Sequence, residues 1–353
     1  MTRAYRIAER VAERELSALV VTNLVNVRYL SGFTGTNAAC VVGGDRRVFI
    51  TDFRYVSQAA DQVGSAFERA KGERDLLGDV AELLSGRVGF EDGTMTVRAH
   101  ERLKGLAGEG VELVAAGNLV EELRAVKEAG EVTAIAEAAK LADSALTTVL
   151  EQGLAGRTEL DVAGRLEARM RALGAEEPAF PSIVASGAHG ALPHAEPRDV
   201  EIERGVLVTI DWGARLDGYC SDCTRTFATG ELSGEATQVY ELVRDAQARA
   251  SESVRAGAGA KEVDAASRDP ITAAGHGDHY GHGLGHGVGL EVHEAPRLAP
   301  TSEDVLAGGN VVTVEPGVYV PEEHGVRIED LVVVTDDGRD VLSGLGKELL
   351  VVG

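Results

Sequence analysis

Five of the nine histidines fall within one short stretch, HGDHYGHGLGHGVGLEVHEAP at 276–296. Imidazole is a common metal ligand, so this density indicates metal chemistry. His282 and His286 have the i, i+4 spacing of zinc-binding helices, but the glycines between them disfavour a helix. His286 and His293 would point to opposite faces of a straight strand and reach one cavity only if the chain bends at 287–289. The stretch therefore predicts close backbone packing around a metal site rather than a helical zinc motif.

Two aspartates are predicted to share one face of a β-hairpin. Asp211 ends the run VTID, Asp222 lies in the next β-rich run, and the Asp-Gly pair between them is a strong hairpin signal. A loop of 217–218 places Gly213 opposite Asp222, whereas a loop of 216–217 places Asp211 there. Both registers bring the carboxylates together, where they repel unless a cation lies between them. The apolar run VLVTI favours a buried, cation-binding pair over an exposed hairpin face.

Two glutamates lie at the ends of apolar runs. Glu315 follows VVTV, and Glu329 lies inside GVRIEDLVVV. Acids in such runs are rarely buried without a partner. Arg327 would share a strand face with Glu329, so a salt bridge between these two residues competes with a metal-binding role for Glu329.

Histidines outside the glycine-rich stretch have separate predictions. His194 follows Pro193, whose ring restricts the backbone, so we expect His194 to be held rigidly. His189 lies in the loop ASGAHGALPH and is expected to be exposed. We also expect His100 and His324 at the surface.

The composition limits the class of protein. A formal net charge of −22 disfavours nucleic-acid binding, because phosphates would be repelled. No apolar run approaches the ~20 residues that span a bilayer. The three cysteines, Cys40, Cys220 and Cys223, are too few for a structural zinc site with two Cys-x-x-Cys pairs and fit a reducing compartment. We expect a cytoplasmic protein with no nucleic-acid or membrane partner.

Two domains are predicted to position these residues. Short β-rich runs alternate with helical patterns through about residue 116, which predicts a small α/β domain. A linker helix and a long helix from about Val132 follow, and the runs beyond residue 180 predict an α+β domain. We place the domains at 1–122 and 123–353. The predicted elements are a helix at 5–17, strands at 18–21, 38–42, 47–51 and 87–91, a helix that begins at Thr158, and helices at 235–256 and 262–274.

The acids and the central histidine occur in motifs that resemble those of a known family. IDWGARLDGYCSDCTRTF, GHGLGHGVGLEVHE, VEPGVY and GVRIED are similar to motifs of the pita-bread metallopeptidases. They resemble more closely the motifs of the proline-specific branch, Xaa-Pro dipeptidase (prolidase) and aminopeptidase P. NVRYLSGFTGTNA, ITDFRYVSQA and NLVEELRAVK resemble the creatinase-type N-terminal domain and linker of that branch. The resemblance implies an α/β creatinase-like domain followed by an α+β pita-bread catalytic domain.

The resemblance also implies a site for two divalent metal ions. Asp222 and Glu329 would bridge the ions, Asp211 would bind one ion, and His286 and Glu315 would bind the other. Four carboxylates and one imidazole suit Mn²⁺, the expected metal, with Co²⁺ and Zn²⁺ as alternatives. A hydroxide activated by both ions would attack the carbonyl that precedes proline.

Catalytic and substrate-binding roles follow from the same resemblance. Glu315 would carry a proton to the leaving proline nitrogen. His194 and His293 would divide two tasks, stabilising the oxyanion and contacting the substrate. Arg297 would bind the free carboxylate of a dipeptide. Two further predicted substrate-binding residues are Arg327 and Phe33.

The expected activity is hydrolysis of Xaa-Pro dipeptides. An aminopeptidase P that acts on longer peptides with proline second is the alternative. A non-catalytic peptide-binding relative is disfavoured, because all five ligand positions are filled. The resemblance also implies a homodimer in which the N-terminal domain of a second subunit, around Phe33, borders the active site.

Overall fold

The computed structural model describes residues 2–353 and contains two compact units. The first unit ends at Arg124 and the second runs from Ala125 to Gly353, so the division lies just beyond the predicted boundary at 122/123. None of the helices described combines the length and the apolar composition needed to cross a bilayer.

The first unit is built on one six-stranded sheet. Its strands are β1 (Ala18–Val21), β2 (Ala38–Gly43), β3 (Arg47–Thr51), β4 (Glu68–Lys71), β5 (Gly86–Phe90) and β6 (Val111–Ala115), in the order β4-β3-β2-β1-β5-β6. Its helices are α1 (Arg3–Glu13), α2 (Leu24–Ser31), α3 (Val56–Gln62), α4 (Leu77–Ala81) and α5 (Val97–Leu106), and α6 (Leu119–Ala125) reaches the division. The four predicted strands are confirmed. The helix predicted at 5–17 ends earlier, at Glu13, because Glu15 takes a left-handed conformation with φ 55°.

The second unit has four long helices and thirteen short strands. The helices are α7 (Ala129–Leu150), α8 (Glu159–Ala172), α9 (Gly234–Ser253) and α10 (Ala260–Ile271). The first strands are β7 (Glu177–Pro178), β8 (Ile183–Ser186), β9 (Leu207–Trp212), β10 (Ala214–Leu216), β11 (Tyr219–Cys220) and β12 (Cys223–Ala228). The later strands are β13 (Gly285–Gly287), β14 (Glu294–Leu298), β15 (Val311–Val314), β16 (Gly317–Val320), β17 (His324–Arg327), β18 (Asp330–Val334) and β19 (Arg339–Val341).

These strands form four small sheets, in the orders β11-β10-β7, β12-β9-β8, β14-β13-β15-β18-β19 and β16-β17. Helices α7 and α8 pack on the β12-β9-β8 sheet, where Leu146 and Leu166 meet Ile210 and Trp212. Helices α9 and α10 pack on the later strands through further apolar clusters. The helix predicted to begin at Thr158 is confirmed, because the Thr158 side chain caps the first turn of α8. These cores fix the strands that carry the polar candidates.

The hairpin that carries the two aspartates turns at 217–218. Both turn residues have positive φ, 48° and 80°, and strands β10 and β11 pair on either side of them. The first of the two predicted registers is therefore observed, with Gly213 opposite Asp222 in a gap between the paired strands. A Cβ on Gly213 would lie 2.0 Å from the Ser221 carbonyl oxygen, so a larger residue cannot fit.

The histidine stretch bends and packs closely, as its glycines predict. A Cβ on Gly285 would lie 2.1 Å from the Thr313 carbonyl oxygen of the adjacent strand β15. The register of β13 against β14 shifts between His286 and Gly287, so the strand bulges at this point. The bulge, rather than a straight strand, determines the directions of the side chains that follow.

Candidate metal centre

Three carboxylates converge in the second unit. Asp211 lies on β9, Asp222 lies just before β12, and Glu329 lies between β17 and β18. One potential ligand oxygen from each residue lies within 4.8 Å of those from the other two. Two of these residues come from one hairpin, and the third comes from a segment about a hundred residues further along the chain. Sheet packing, rather than proximity in sequence, therefore assembles the cluster.

His286 and Glu315 complete the predicted set of five. His286 Nε2 lies 3.3 Å from Glu315 Oε1 and 3.6 Å from Asp222 Oδ2. The Thr313 hydroxyl orients both new members, since it donates to Glu315 Oε1 and accepts from the His286 backbone N–H. The structure thus brings together all five residues that the motifs predict as ligands.

Burial and mutual repulsion govern the protonation of the three clustered acids. Burial, followed by the charges of neighbouring carboxylates, raises the pKa of Asp222 and of Glu329 well above the usual range. Burial also raises the pKa of Asp211, although a neighbouring arginine acts in the opposite direction. Without a cation, the cluster therefore favours a partly protonated state.

Glu315 differs from the other acids because a histidine contacts it. Burial alone would raise the pKa of the Glu315 carboxyl, but the hydrogen bond and charge of His286 outweigh burial and lower that pKa to about 2. The same contact raises the pKa of His286, against the effect of its burial. These two side chains form a charged pair at the edge of the cluster.

Two oxygens in the cluster lack a hydrogen-bond partner among the described residues. Asp211 Oδ1 and Glu329 Oε1 are both buried and unpaired. Leaving a buried carboxylate oxygen unsatisfied is costly, and a bound cation removes that cost. The five side chains therefore fit divalent metal ions, which take carboxylate oxygen and imidazole nitrogen as ligands.

Arg327 contacts Asp211, not Glu329, so the salt bridge that competed with a metal-binding role for Glu329 is not formed. Its Nη2 donates to Asp211 Oδ2 at 2.7 Å, and its Nε donates to the Thr224 hydroxyl at 3.0 Å. That hydroxyl donates in turn to Glu329 Oε2 at 2.7 Å. That alternative assumed one continuous strand, but β17 ends at Arg327 and β18 begins at Asp330 in a different sheet.

Sequence reasoning missed Tyr319, which lies beside this arginine. The Tyr319 hydroxyl accepts a 2.8 Å hydrogen bond from Arg327 Nη1 and lies 2.9 Å from His282 Nε2. Its position in the motif VEPGVY was the only signal. His282 lines the cavity, and burial lowers its pKa. Tyr319 therefore connects the arginine that holds Asp211 to the histidine-rich wall.

The two histidines His286 and His293 face each other across the bulge, with ring centroids 4.3 Å apart. Burial, and then the charge of His286, lowers the pKa of His293. The condition stated from the sequence, a bend after His286, is met. One of these rings touches the acids, and the other lies beside it on the cavity wall.

A cavity of about 700 Å³ opens over the cluster. It includes the predicted residues His194 and Arg297, which are exposed, together with an apolar wall. The lining consists of Phe180, Pro181, Ser182, Ile183, Pro193, His194, Ala195, Glu196, Pro197, Asp211, Asp222, His282, Gly283, Gly285, His286, Val292, His293, Glu294, Arg297, Glu315, Tyr319 and Arg327.

A buried ion pair at the cavity wall was also missed. Lys127 Nζ lies 3.0 Å from Glu294 Oε2, and the two side chains are only 1% and 5% exposed. Glu294 Oε1 also accepts the Glu291 backbone N–H. No spacing rule connects residues so far apart in sequence. The pair ties the segment that carries His293 to the chain that precedes α7.

Three side chains that were predicted to be exposed or to contact substrate are buried instead. Phe33 is 1% exposed and packs against Phe49 and Tyr55 in the first unit, so its ring belongs to a core rather than to a substrate-contacting surface. The His189 side chain is 8% exposed because its Nδ1 lies 2.9 Å from a Glu159 carboxylate oxygen. His324 is 7% exposed, since it begins the buried strand β17.

The chain matches two family models. The Creatinase/Prolidase N-terminal domain matches residues 3–126, and metallopeptidase family M24 matches residues 133–336. An Xaa-Pro dipeptidase of Pyrococcus furiosus is 35% identical over 99% of both chains.

Solved structures show the same likeness. The Xaa-Pro dipeptidase from Bacillus anthracis superposes with a TM-score of 0.95 at 39% identity, covering 99% of this chain and 98% of that chain. The X-Pro aminopeptidase from Thermotoga maritima superposes with a TM-score of 0.89 at 34% identity, covering 97% of this chain and 99% of that chain. The predicted fold class, a creatinase-like domain followed by a pita-bread catalytic domain, is confirmed.

Proposed function

Because the chain belongs to metallopeptidase family M24, we propose that it hydrolyses the peptide bond preceding proline in Xaa-Pro dipeptides. The observation that carries this proposal is the buried cluster of acids, with two unpaired oxygens, at the base of a cavity that also contains Arg297. The dipeptidases named above, from Pyrococcus furiosus and Bacillus anthracis, support the same activity.

We propose that two divalent ions bind here, Mn²⁺ first, with Co²⁺ and Zn²⁺ as alternatives. Asp222 and Glu329 would be shared between the ions, Asp211 would bind one, and His286 and Glu315 would bind the other. The excess of carboxylate oxygen over nitrogen favours Mn²⁺. When bound, the ions supply Lewis acidity and lower the pKa of water, so that it attacks at neutral pH.

The side chains of this protein supply the remaining chemistry. Glu315 accepts the proton that the attacking water loses and delivers it to the proline nitrogen as the C–N bond breaks. His293 donates a hydrogen bond to the oxygen of the attacked carbonyl as negative charge develops on it. His194 and Arg327 border the cavity and orient the substrate. The proline nitrogen of the scissile amide carries no hydrogen, so none of these roles depends on an N–H donated by that amide.

Arg297 distinguishes the dipeptidase from the alternative, an aminopeptidase P that acts on longer peptides. Arg297 lines the cavity, and its backbone N–H donates to the Asp304 carboxylate at 2.9 Å. A free proline carboxylate can pair with the Arg297 guanidinium, whereas a continuing peptide presents a neutral amide. The X-Pro aminopeptidase from Thermotoga maritima is similar over almost the whole chain, so the experiment must compare both activities.

The experiment compares Ala-Pro with a tripeptide that has proline second, using Mn²⁺-loaded protein. We expect the higher kcat/KM for Ala-Pro and a selective loss of that preference in Arg297→Met. Faster cleavage of the tripeptide would favour the aminopeptidase, and no cleavage of either peptide would overturn the enzymatic function.

We also propose a cytoplasmic homodimer. The three cysteines are free and buried, which suits a reducing compartment. Light scattering of the purified protein tests the oligomeric state, since a homodimer doubles the mass of the 37.0 kDa chain.

A further inference from the structure

Two charges of opposite sign remain unpaired in the cavity wall. Lys127 neutralises Glu294, and Arg327 is bound to a metal-site acid. Glu196 and Arg297 also line the cavity, but neither forms an ion pair within the part of the chain that the structure describes. Since Arg297 suits the substrate carboxylate, Glu196 is left as the negative charge available to a cation.

We propose that Glu196 selects substrates in which the residue before proline carries a cationic side chain, lysine or arginine. This inference rests on the proposed function. Glu196 is exposed and lies two residues beyond His194, on the loop that forms one side of the cavity. Its carboxylate is therefore at the cavity mouth, accessible to a long flexible side chain.

Bond geometry separates this side chain from the α-ammonium group of the substrate. The α-nitrogen is two bonds from the attacked carbonyl carbon, a distance of about 2.5 Å. When that carbon is held at the metal centre, the α-nitrogen must also lie at the base of the cavity, near the buried acids. Only a side chain that extends outward from the α-carbon reaches an exposed carboxylate at the mouth.

The apolar part of the cavity wall suits the stem of such a side chain. Ile183, Pro197 and Val292 line the cavity and offer apolar surface. Lysine and arginine pack their methylene groups on apolar surface while the charged end stays hydrated. Glu196 would meet that charged end, and it would repel an acidic side chain in the same place.

The test measures kcat/KM of the Mn²⁺-loaded enzyme for Lys-Pro, norleucine-Pro, Glu-Pro and Ala-Pro. Norleucine keeps the length of lysine without its charge. In Glu196→Gln, the Lys-Pro to norleucine-Pro ratio should fall by up to about fivefold, the upper end of the range for a solvent-exposed ion pair. The ratio in the wild type should also fall with added salt. Glu196→Lys should invert the preference in favour of Glu-Pro.

Glu203→Gln is the matched control, because Glu203 is an exposed acid that does not line the cavity. It should leave every ratio unchanged. If Ala-Pro is cleaved but Glu196→Gln keeps the wild-type ratio, the specificity inference is overturned and the proposed function stands. An equal loss on all four substrates would also overturn it, since that pattern indicates contact with the α-ammonium group. If the wild type cleaves none of them, the proposed function itself fails.

Discussion

Arg327 donates a 2.7 Å hydrogen bond to one oxygen of Asp211, while the other oxygen of Asp211 is buried without a partner among the described residues. The arginine therefore fixes the carboxylate and leaves one buried oxygen available to a cation. Burial alone would lower the pKa of Arg327, but Tyr319 and nearby acids outweigh it and raise that pKa well above its usual range. The Arg327 guanidinium therefore stays positively charged.

Arg327→Lys should lower the affinity for Mn²⁺ and kcat/KM by about 10-fold to 100-fold, as is usual when a residue supporting a metal ligand is lost. Lysine cannot reproduce the planar fork that reaches Asp211 and Thr224 together. Calorimetric titration of metal into the variant measures the effect. Tyr319→Phe removes one contact of the arginine and should have a smaller effect. Wild-type affinity in Arg327→Lys would contradict the proposed orientation of Asp211.

Asp222→Asn should make the metal-free protein more stable and abolish stabilisation by metal. The amide cannot ionise, so folding of the metal-free chain no longer costs the protonation of a carboxylate beside Asp211, Glu315 and Glu329, or its repulsion by them. In the wild type, Mn²⁺ at about 100 times its Kd should raise the thermal midpoint by roughly 5–10 °C. Scanning calorimetry of the wild type and of the variant, each with chelator and with Mn²⁺, gives the four thermal midpoints to compare. Full metal occupancy in the variant would show that Asp222 is not a ligand.

The adjacent histidines should respond differently to alanine substitution. His286→Ala should lose bound metal, because His286 contacts Glu315 and Asp222. His293→Ala should keep its metal and lose about 100-fold in kcat, the usual cost of removing an oxyanion donor. Metal analysis and steady-state kinetics on both proteins make the comparison. Equal metal loss in the two variants would place His293 among the ligands instead.

Lys127→Met should destabilise the second unit by about 3–5 kcal/mol, because it removes one partner of a buried ion pair and leaves the charge of the Glu294 carboxylate without its cation. Urea unfolding measures the loss. Glu294→Gln in the same chain should restore part of the stability, since the uncompensated charge disappears. If the double variant is no more stable than Lys127→Met, the ion pair is not the cause.

Glu159 should make stability depend on pH in the acid range. Burial raises the pKa of its carboxyl, but hydrogen bonds from Arg198 and Ser186 outweigh burial, so the pKa is lowered. A lowered pKa in the folded state contributes stability that is complete above the unfolded value, about 4.3, and is lost as the pH falls through the folded value. Glu159→Gln should therefore be less stable than the wild type at pH 7.

Unfolding of both proteins in chelator at pH 7 and at about pH 3 tests this prediction. The difference between them should shrink at the lower pH, because the wild-type carboxyl becomes protonated. A difference that stays constant with pH would mean that the charge of Glu159 does not stabilise the fold.

The sequence by itself determined the chemistry of the site. The types and order of five residues within specific motifs predict the ligand set, and the structure brings those five together. The Asp-Gly turn at 217–218 was predictable because local backbone preference alone specifies it. The glycines around His286 likewise signalled close backbone packing. Each of these signals is contained within one element or one turn.

Only the tertiary structure decided which residues from different elements meet. Arg327 reaches Asp211 rather than Glu329 because the chain changes sheets after β17, and strand periodicity holds only within one strand. Tyr319 joins the site through contacts that no spacing encodes. Lys127 and Glu294 are separated by 167 residues, and they meet only after the strands have packed.

The burial of individual side chains also could be known only from the folded structure. His189 and His324 were expected at the surface from their local sequence, and Phe33 was given a contact role by the resemblance, yet all three side chains are buried. A side chain's exposure depends on what packs over it, and local sequence describes only one side of that contact. Residue type and order therefore predicted the candidate ligands, whereas three-dimensional packing specified their supporting contacts.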